Sequence, residues 1–124
     1  MQSYSSSLID LSFLSSISKE NAQTMLKYIK IFLEDAPPQV NLLQKAIELK
    51  EWNTIESIAH ALKSQLNFIG AKSISLIAGK IKEAAETGIE RNSLPVQLRE
   101  LKIQFQSACD ELINIHDNLM AKVE

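Results

Sequence analysis

The sequence predicts an all-α fold, an up-and-down antiparallel four-helix bundle with a short additional N-terminal helix. Three observations lead there. Only three Gly and three Pro occur in 124 residues, too few turn-makers for a sandwich of many short strands. Leu, Ile, Ala, Lys, Glu and Gln abound instead, and most of these favour helix. Apolar residues recur at three- and four-residue steps in four long segments with short connections, so their stripes can be buried against one another.

The Ser-rich opening, residues 1–7, reads as a flexible tail, and residues 8–124 as a single domain. Leu8 to Ile17 forms a short helical segment with Leu8, Leu11 and Leu14 at three-residue steps. Ser18 is the expected cap of the next helix, which carries Ala22, Met25, Leu26, Ile29 and Leu33 until Pro37-Pro38 ends or kinks it. Val40, Leu43, Ala46 and Ile47 then resume the pattern. Trp52-Asn53-Thr54 interrupts it and offers Asn53 or Thr54 as cap for a helix with Ile55, Ile58, Ala59, Leu62, Leu66 and Ile69 on one face, stopped at Gly70. Ile74, Ile77, Ala78, Ile81 and Ala85 mark a further helix, with Gly88 where a left-handed C-cap belongs. Ile89 to Asn92 form a loop. Ser93-Leu94-Pro95 then opens a long helix whose stripe is Leu98, Leu101, Phe105, Ala108, Leu112, Ile115 and Leu119.

Composition excludes several function classes. The chain weighs 13.9 kDa, enough for one core. Its 45 % hydrophobic and 23 % charged residues are ordinary for a globular protein. A formal charge of −2 lacks the basic excess of a nucleic-acid binder. Apolar runs are too short for a membrane span, and MQSYSSS has neither the basic start nor the apolar stretch of a signal peptide, so the expected location is the cytoplasm. Cys109 stands alone, which permits no internal disulfide, and with two His it is too little for a zinc cage. It reads as a packed thiol at the edge of the last stripe.

The two histidines fall on different faces. At roughly 100° per residue, with Ile55 at zero, the apolar residues of its helix lie within about 60° of one line. His60 lies at roughly 140° from that line, beside Glu56, Lys63, Ser64 and Asn67, and should be in solvent. His116 lies only about 40° off its helix's stripe and reads as a core-edge residue. A neutral imidazole is a nucleophile near pH 7, and a lysine one turn away neutralises an anion bound to it. Phosphate suits both. An exposed His near a Lys is more often just a solvated helix face, so this pair alone does not decide the matter. Tyr28, Ile31 and Phe68 fall away from their core lines and are candidates for a docking surface.

The order of residues adds more. His60-Ala61-Leu62-Lys63-Ser64-Gln65-Leu66-Asn67-Phe68-Ile69-Gly70-Ala71 resembles the signature of histidine-containing phosphotransfer (HPt) domains, in which His-x-Leu-Lys-small precedes an aliphatic-Gly pair. Ile9-Asp10-Leu11-Ser12-Phe13-Leu14, Phe32-Leu33-Glu34-Asp35-Ala36-Pro37 and Trp52 also look like that family, so the resemblance spans roughly residues 8 to 120. It implies a four-helix bundle with His60 as phosphoryl acceptor, Lys63 as the cation near the phosphoryl oxygens, Ser64 as the small residue giving access, and Gly70 as the turn. Ser64, Asn67, Phe68 and Lys82 would meet the partner. Gln65 and Leu66 depart from the small residues of many members. Lys82 stands where some members carry a Gln bonded to the imidazole; an ammonium cannot accept that ring N–H, but it brings a second positive charge.

The resemblance implies a phosphorelay intermediate, a phosphocarrier and not an enzyme. A receiver domain's aspartyl phosphate donates to His60, and phospho-His60 donates to another receiver's Asp. The partners implied are response-regulator receiver domains and hybrid sensor histidine kinases. No cofactor of its own is expected: Mg²⁺ belongs to the receiver, because the loose transition state of phosphoryl transfer needs mainly positioning and charge. The sequence has no glycine-rich nucleotide loop and no strand-helix alternation to build an ATP site. The dimerisation domain of a sensor kinase fits less well, since it would place a Pro after the basic residue and need a second protomer; four helices in one chain predict a monomer. The alternative of another class is a helical adaptor in which His60 is an ordinary surface residue.

Overall fold

The computed structural model describes residues 8–123; the tail expected at residues 1–7 lies outside them. Its elements are α1 (Ser12–Ile17), α2 (Ala22–Glu48), α3 (Trp52–Phe68), α4 (Lys72–Thr87), a 3-10 turn (Arg91–Ser93) and α5 (Leu94–Val123). No strand occurs among the described residues. Helices α2 to α5 each pack on their sequence neighbours, and α5 closes the ring against α2. The pairings run antiparallel: Tyr28 of α2 meets Phe68 of α3, while Gln44 near the end of α2 accepts from Lys102 near the start of α5. This is the four-helix bundle that the stripes predict, with α1 as the short extra helix.

The core is one cluster. Ile29, Phe32, Ala36, Val40 and Leu43 of α2, Ile55, Ala59, Leu62 and Leu66 of α3, Ile74, Ala78 and Ile81 of α4, and Leu98, Leu101, Phe105 and Leu112 of α5 are all buried. Met25, Ile58, Ile115 and Leu119 pack against it half-buried. Cys109 is buried as well, and desolvation pushes its thiol from 9.0 up to about 11, with the Asp110 carboxylate adding to the rise.

Several boundaries differ from the sequence reading. Helix α1 begins at Ser12, not Leu8, because Asp10 accepts from both the N–H and the hydroxyl of Ser12 and starts the turn there. Ser18 is the C-cap of α1; the cap of α2 is Asn21, whose side chain accepts from Thr24 N–H. Pro37-Pro38 does not end α2, which is helical without interruption from Ala22 to Glu48. The two missing N–H groups would have bonded the carbonyls of Leu33 and Glu34, on a half-exposed to exposed side of the helix. The core line running through Ala36 to Val40 and Leu43 outweighs the local cost of proline. Neither Asn53 nor Thr54 caps α3: Glu51 occupies the cap position and makes no side-chain cap bond. Part of the loop expected at Ile89 to Asn92 is the 3-10 turn, held by Arg91, which donates to the carbonyls of Ala84 and Ala85 and lies 4.1 Å over the Trp52 ring.

The turn after α3 matters most for the site. Ala71 N–H bonds Leu66 C=O and Gly70 N–H bonds Asn67 C=O, a closure that requires the left-handed φ of +69° at Gly70. Asp10 N–H donates to Ile69 C=O across the same turn, and a Cβ on Gly70 would lie 2.0 Å from Asp10 O. The N-terminal segment thereby rests directly on the α3–α4 corner.

Candidate functional site

The site is built on α3. Burial of Ile55, Ala59, Leu62 and Leu66 fixes the rotation of the helix. The residues between them must therefore face outward: His60, Lys63, Ser64 and Asn67 are all exposed. Among the described residues neither ring nitrogen of His60 has a hydrogen-bond partner, so one can carry a proton while the other keeps its lone pair toward solvent. His116 is different. It is half-buried on α5 with Nδ1 3.4 Å from a carboxylate oxygen of Asp117, in the core-edge position that its angle predicts.

Lys63 is one turn from His60 and leans toward α4. A Cβ built on Gly79 would sit 3.8 Å from Lys63 Cε and 3.9 Å from its Nζ. The lysine stem thus runs along α4 beside a position that has no side chain, with the residue exposed to solvent. Sequence reasoning did not single out Gly79. An isolated glycine inside an otherwise regular helical stripe was the available signal. Lys82, expected on the facing helix, is on α4 with its side chain 28 % exposed and pairs with Glu86 at 3.5 Å. Asn67 lies one turn beyond Lys63, its carbonyl committed to the Gly70 turn.

The other flank of the histidine face is apolar. Tyr28, Ile31 and Phe32 of α2 line a groove with Ser64, Gln65 and Phe68 of α3. Phe68 makes edge-on contacts with Tyr28 at 5.4 Å and with Phe13 of α1 at 5.9 Å, so α1 extends this face. Tyr28 and Phe68 are half-buried, while Ile31 is 43 % and Phe13 54 % exposed. The buried Oε1 of Gln65 has no hydrogen-bond partner among the described residues. Ile31 is exposed as its position off the core line predicts, whereas Phe32 belongs to the core and Tyr28 and Phe68 pack half-buried against it; ring contacts join Phe13, Phe68 and Tyr28 into one surface. Chemically, the site offers a solvent-facing nucleophile, a cation one turn away and an apolar surface beside them.

Comparison with known proteins places this geometry. The Hpt domain model matches residues 27–115, a span that includes His60, Lys63, Gly79 and Lys82 and stops just short of His116. The structure is similar to that of histidine-containing phosphotransfer protein B of Pseudomonas aeruginosa, with a TM-score of 0.83 at 16 % identity over 91 % of this chain and 97 % of that one. It is also similar to a putative histidine-containing phosphotransfer protein from rice, with a TM-score of 0.74 at 14 % identity over 94 % of this chain and 87 % of that one. No curated protein matches. At such identities the structural likeness speaks for the fold, and the family match, over most of the chain, for membership: this chain belongs to the Hpt domain family, the histidine phosphotransfer proteins of phosphorelays.

Proposed function

We propose that His60 is the residue that carries the phosphoryl group, with Lys63 as the cation that meets its oxygens. The observation that carries this reading is the pairing of an exposed, unbonded imidazole with a lysine one turn away, laid over Gly79, inside the family-matched span. Family members are phosphocarriers that interact with receiver domains or histidine kinases. For this chain the reading extends to transfer in both directions between receiver aspartates and His60, with no nucleotide site of its own. The Mg²⁺ belongs to the receiver's acidic pocket. The attacking lone pair of His60 forms the P–N bond as the P–O bond to the aspartate breaks, and the carboxylate leaves. Lys63 balances the charge, Ser64 leaves room for the incoming receiver, and Asn67, Phe68 and Lys82 border the contact. A monomeric bundle supplies all of these groups. Among the described residues no helix is long and apolar enough to cross a membrane, in keeping with a role in the cytoplasm.

The test is incubation with a phosphorylated receiver domain and Mg²⁺, followed by mapping of acid-labile, base-stable phosphate. The expected label is on His60, and His60→Gln removes it while the helical circular dichroism is unchanged. Label on His116, or undiminished transfer to the His60→Gln protein, overturns the assignment.

A further inference from the structure

Lys82 and Glu86 form an i, i+4 ion pair at 3.5 Å on α4. Lys63 lies over Gly79, and α3 and α4 are antiparallel. One turn back along α3 and one turn forward along α4 run in the same direction, so Lys82 falls within about a turn of His60 along the seam, and Glu86 one turn further on, toward Glu56. The charged groups at this part of the α3–α4 seam are then Glu56 and Lys63 on α3, and Lys82 and Glu86 on α4. Glu83 lines the α4–α5 side with Lys80 instead.

We propose that Glu86 is a positioning residue that holds Lys82 in reserve, and that phosphorylation of His60 draws Lys82 away from Glu86 to become a second cation on the phosphoryl group. The inference rests on His60 being the acceptor. Three features favour the exchange. The pair is an i, i+4 contact at 3.5 Å with the Glu86 side chain 51 % exposed, and such pairs are weak and screened. A phosphoryl group brings close to two negative charges against the one of Glu86. The Lys82 ammonium sits on a flexible four-carbon stem, so it can leave one anion for another without moving the helix. Lys63, with no carboxylate paired to it among the described residues, is available before and after transfer; Lys82 is conditional. Glu86 thereby tempers how strongly the bundle holds the phosphoryl group, which suits a carrier that must also release it.

The experiment phosphorylates the whole chain with phosphoramidate, a donor that already carries a P–N bond. The imidazole P–N bond forms as the donor's breaks, and ammonia leaves with the proton that the ring gives up. The ³¹P resonance of phospho-His60 is then titrated. A nearby cation favours the deprotonated form. Glu86→Gln is therefore expected to enlarge the acid dissociation constant of phospho-His60 about twofold, and Lys82→Met to diminish it about twofold, the size of one weak surface charge contact. In the Lys82→Met background the Glu86→Gln effect should shrink to that of removing a distant charge. An undiminished Glu86→Gln effect without Lys82 means that Glu86 acts directly and overturns the proposal, as does a Lys82→Met protein that titrates like wild type. Failure to label His60 in the wild-type chain is a separate result and removes the acceptor reading itself.

Discussion

His60 and His116 are the same residue in opposite settings, and the difference lies in what each ring can still do. Nδ1 of His116 faces Asp117 and its ring is largely packed, whereas the His60 ring is exposed and, among the described residues, unbonded, so its lone pair is open to a partner. Lys63 needs no such freedom; it needs to be held near. Its stem lies within van der Waals reach of the Gly79 position on α4. Lys63→Ala is accordingly expected to slow phosphotransfer on the order of tenfold, the loss of one charge-assisted contact in the transition state, with folding unaffected because the residue is exposed. Leu62→Ala, one residue away but fully buried, should instead cost about 2–5 kcal/mol of stability through the cavity it leaves. Transfer rates beside urea unfolding of the two variants separate site from core. A lysine variant that transfers at the wild-type rate would remove Lys63 from the mechanism.

At the scale of elements, α1, α2 and α3 all end by the same closure, with an N–H bonded back to the carbonyl five residues earlier: Glu20 to Ser15, Glu51 to Ala46, and Ala71 to Leu66. Each closure needs a residue at positive φ. After α3 it is Gly70, legible in the sequence because glycine is the residue that takes this conformation cheaply. After α2 it is Lys50 at +55°, and after α1 Lys19 and Glu20 at +54° and +59°, residue types that carry no such mark. That is why the sequence marks the stop at Gly70 but not the ends of α1 and α2, and why Ser18, which closes α1, reads as an N-cap. Pro37-Pro38 shows the converse, a strong local signal overruled by burial on both sides of it. Gly70→Ala should be among the most damaging single changes in the chain. The left-handed φ alone costs a residue with a Cβ about 1–2 kcal/mol, and the new methyl would fall 2.0 Å from Asp10 O, forcing apart the N-terminal segment and the α3–α4 turn. Urea unfolding should show a loss of more than about 2 kcal/mol. A loss below that figure would mean that the Asp10 segment yields freely.

For the whole molecule, four apolar stripes and short connections suffice to determine the bundle, and helix rotation then determines that His60 faces out. This much of the site is local to α3 and was legible from spacing. What was not legible depends on register between helices: that Gly79 is the residue beneath Lys63, that Lys82 is paired with Glu86, and that Phe13 of α1 joins Phe68 and Tyr28 in one surface. No stripe on a single helix encodes these. The same burial that fixes the bundle leaves one titratable reporter of its integrity, since Cys109 packs against the core and its thiol is pushed up to about 11. A group whose folded-state pKa is raised contributes stability that is fully present below its unfolded value, here 9.0, and is lost as the pH climbs through about 11. Cys109→Ala has no thiol to ionise, so the difference between the two proteins isolates the thiol. Under reducing conditions the stability advantage of wild type over Cys109→Ala should be constant up to about pH 8 and shrink steadily between pH 9 and 11. Urea midpoints for both proteins across that range measure it, and an advantage that does not change with pH would show that the thiol ionises as readily in the bundle as in the unfolded chain.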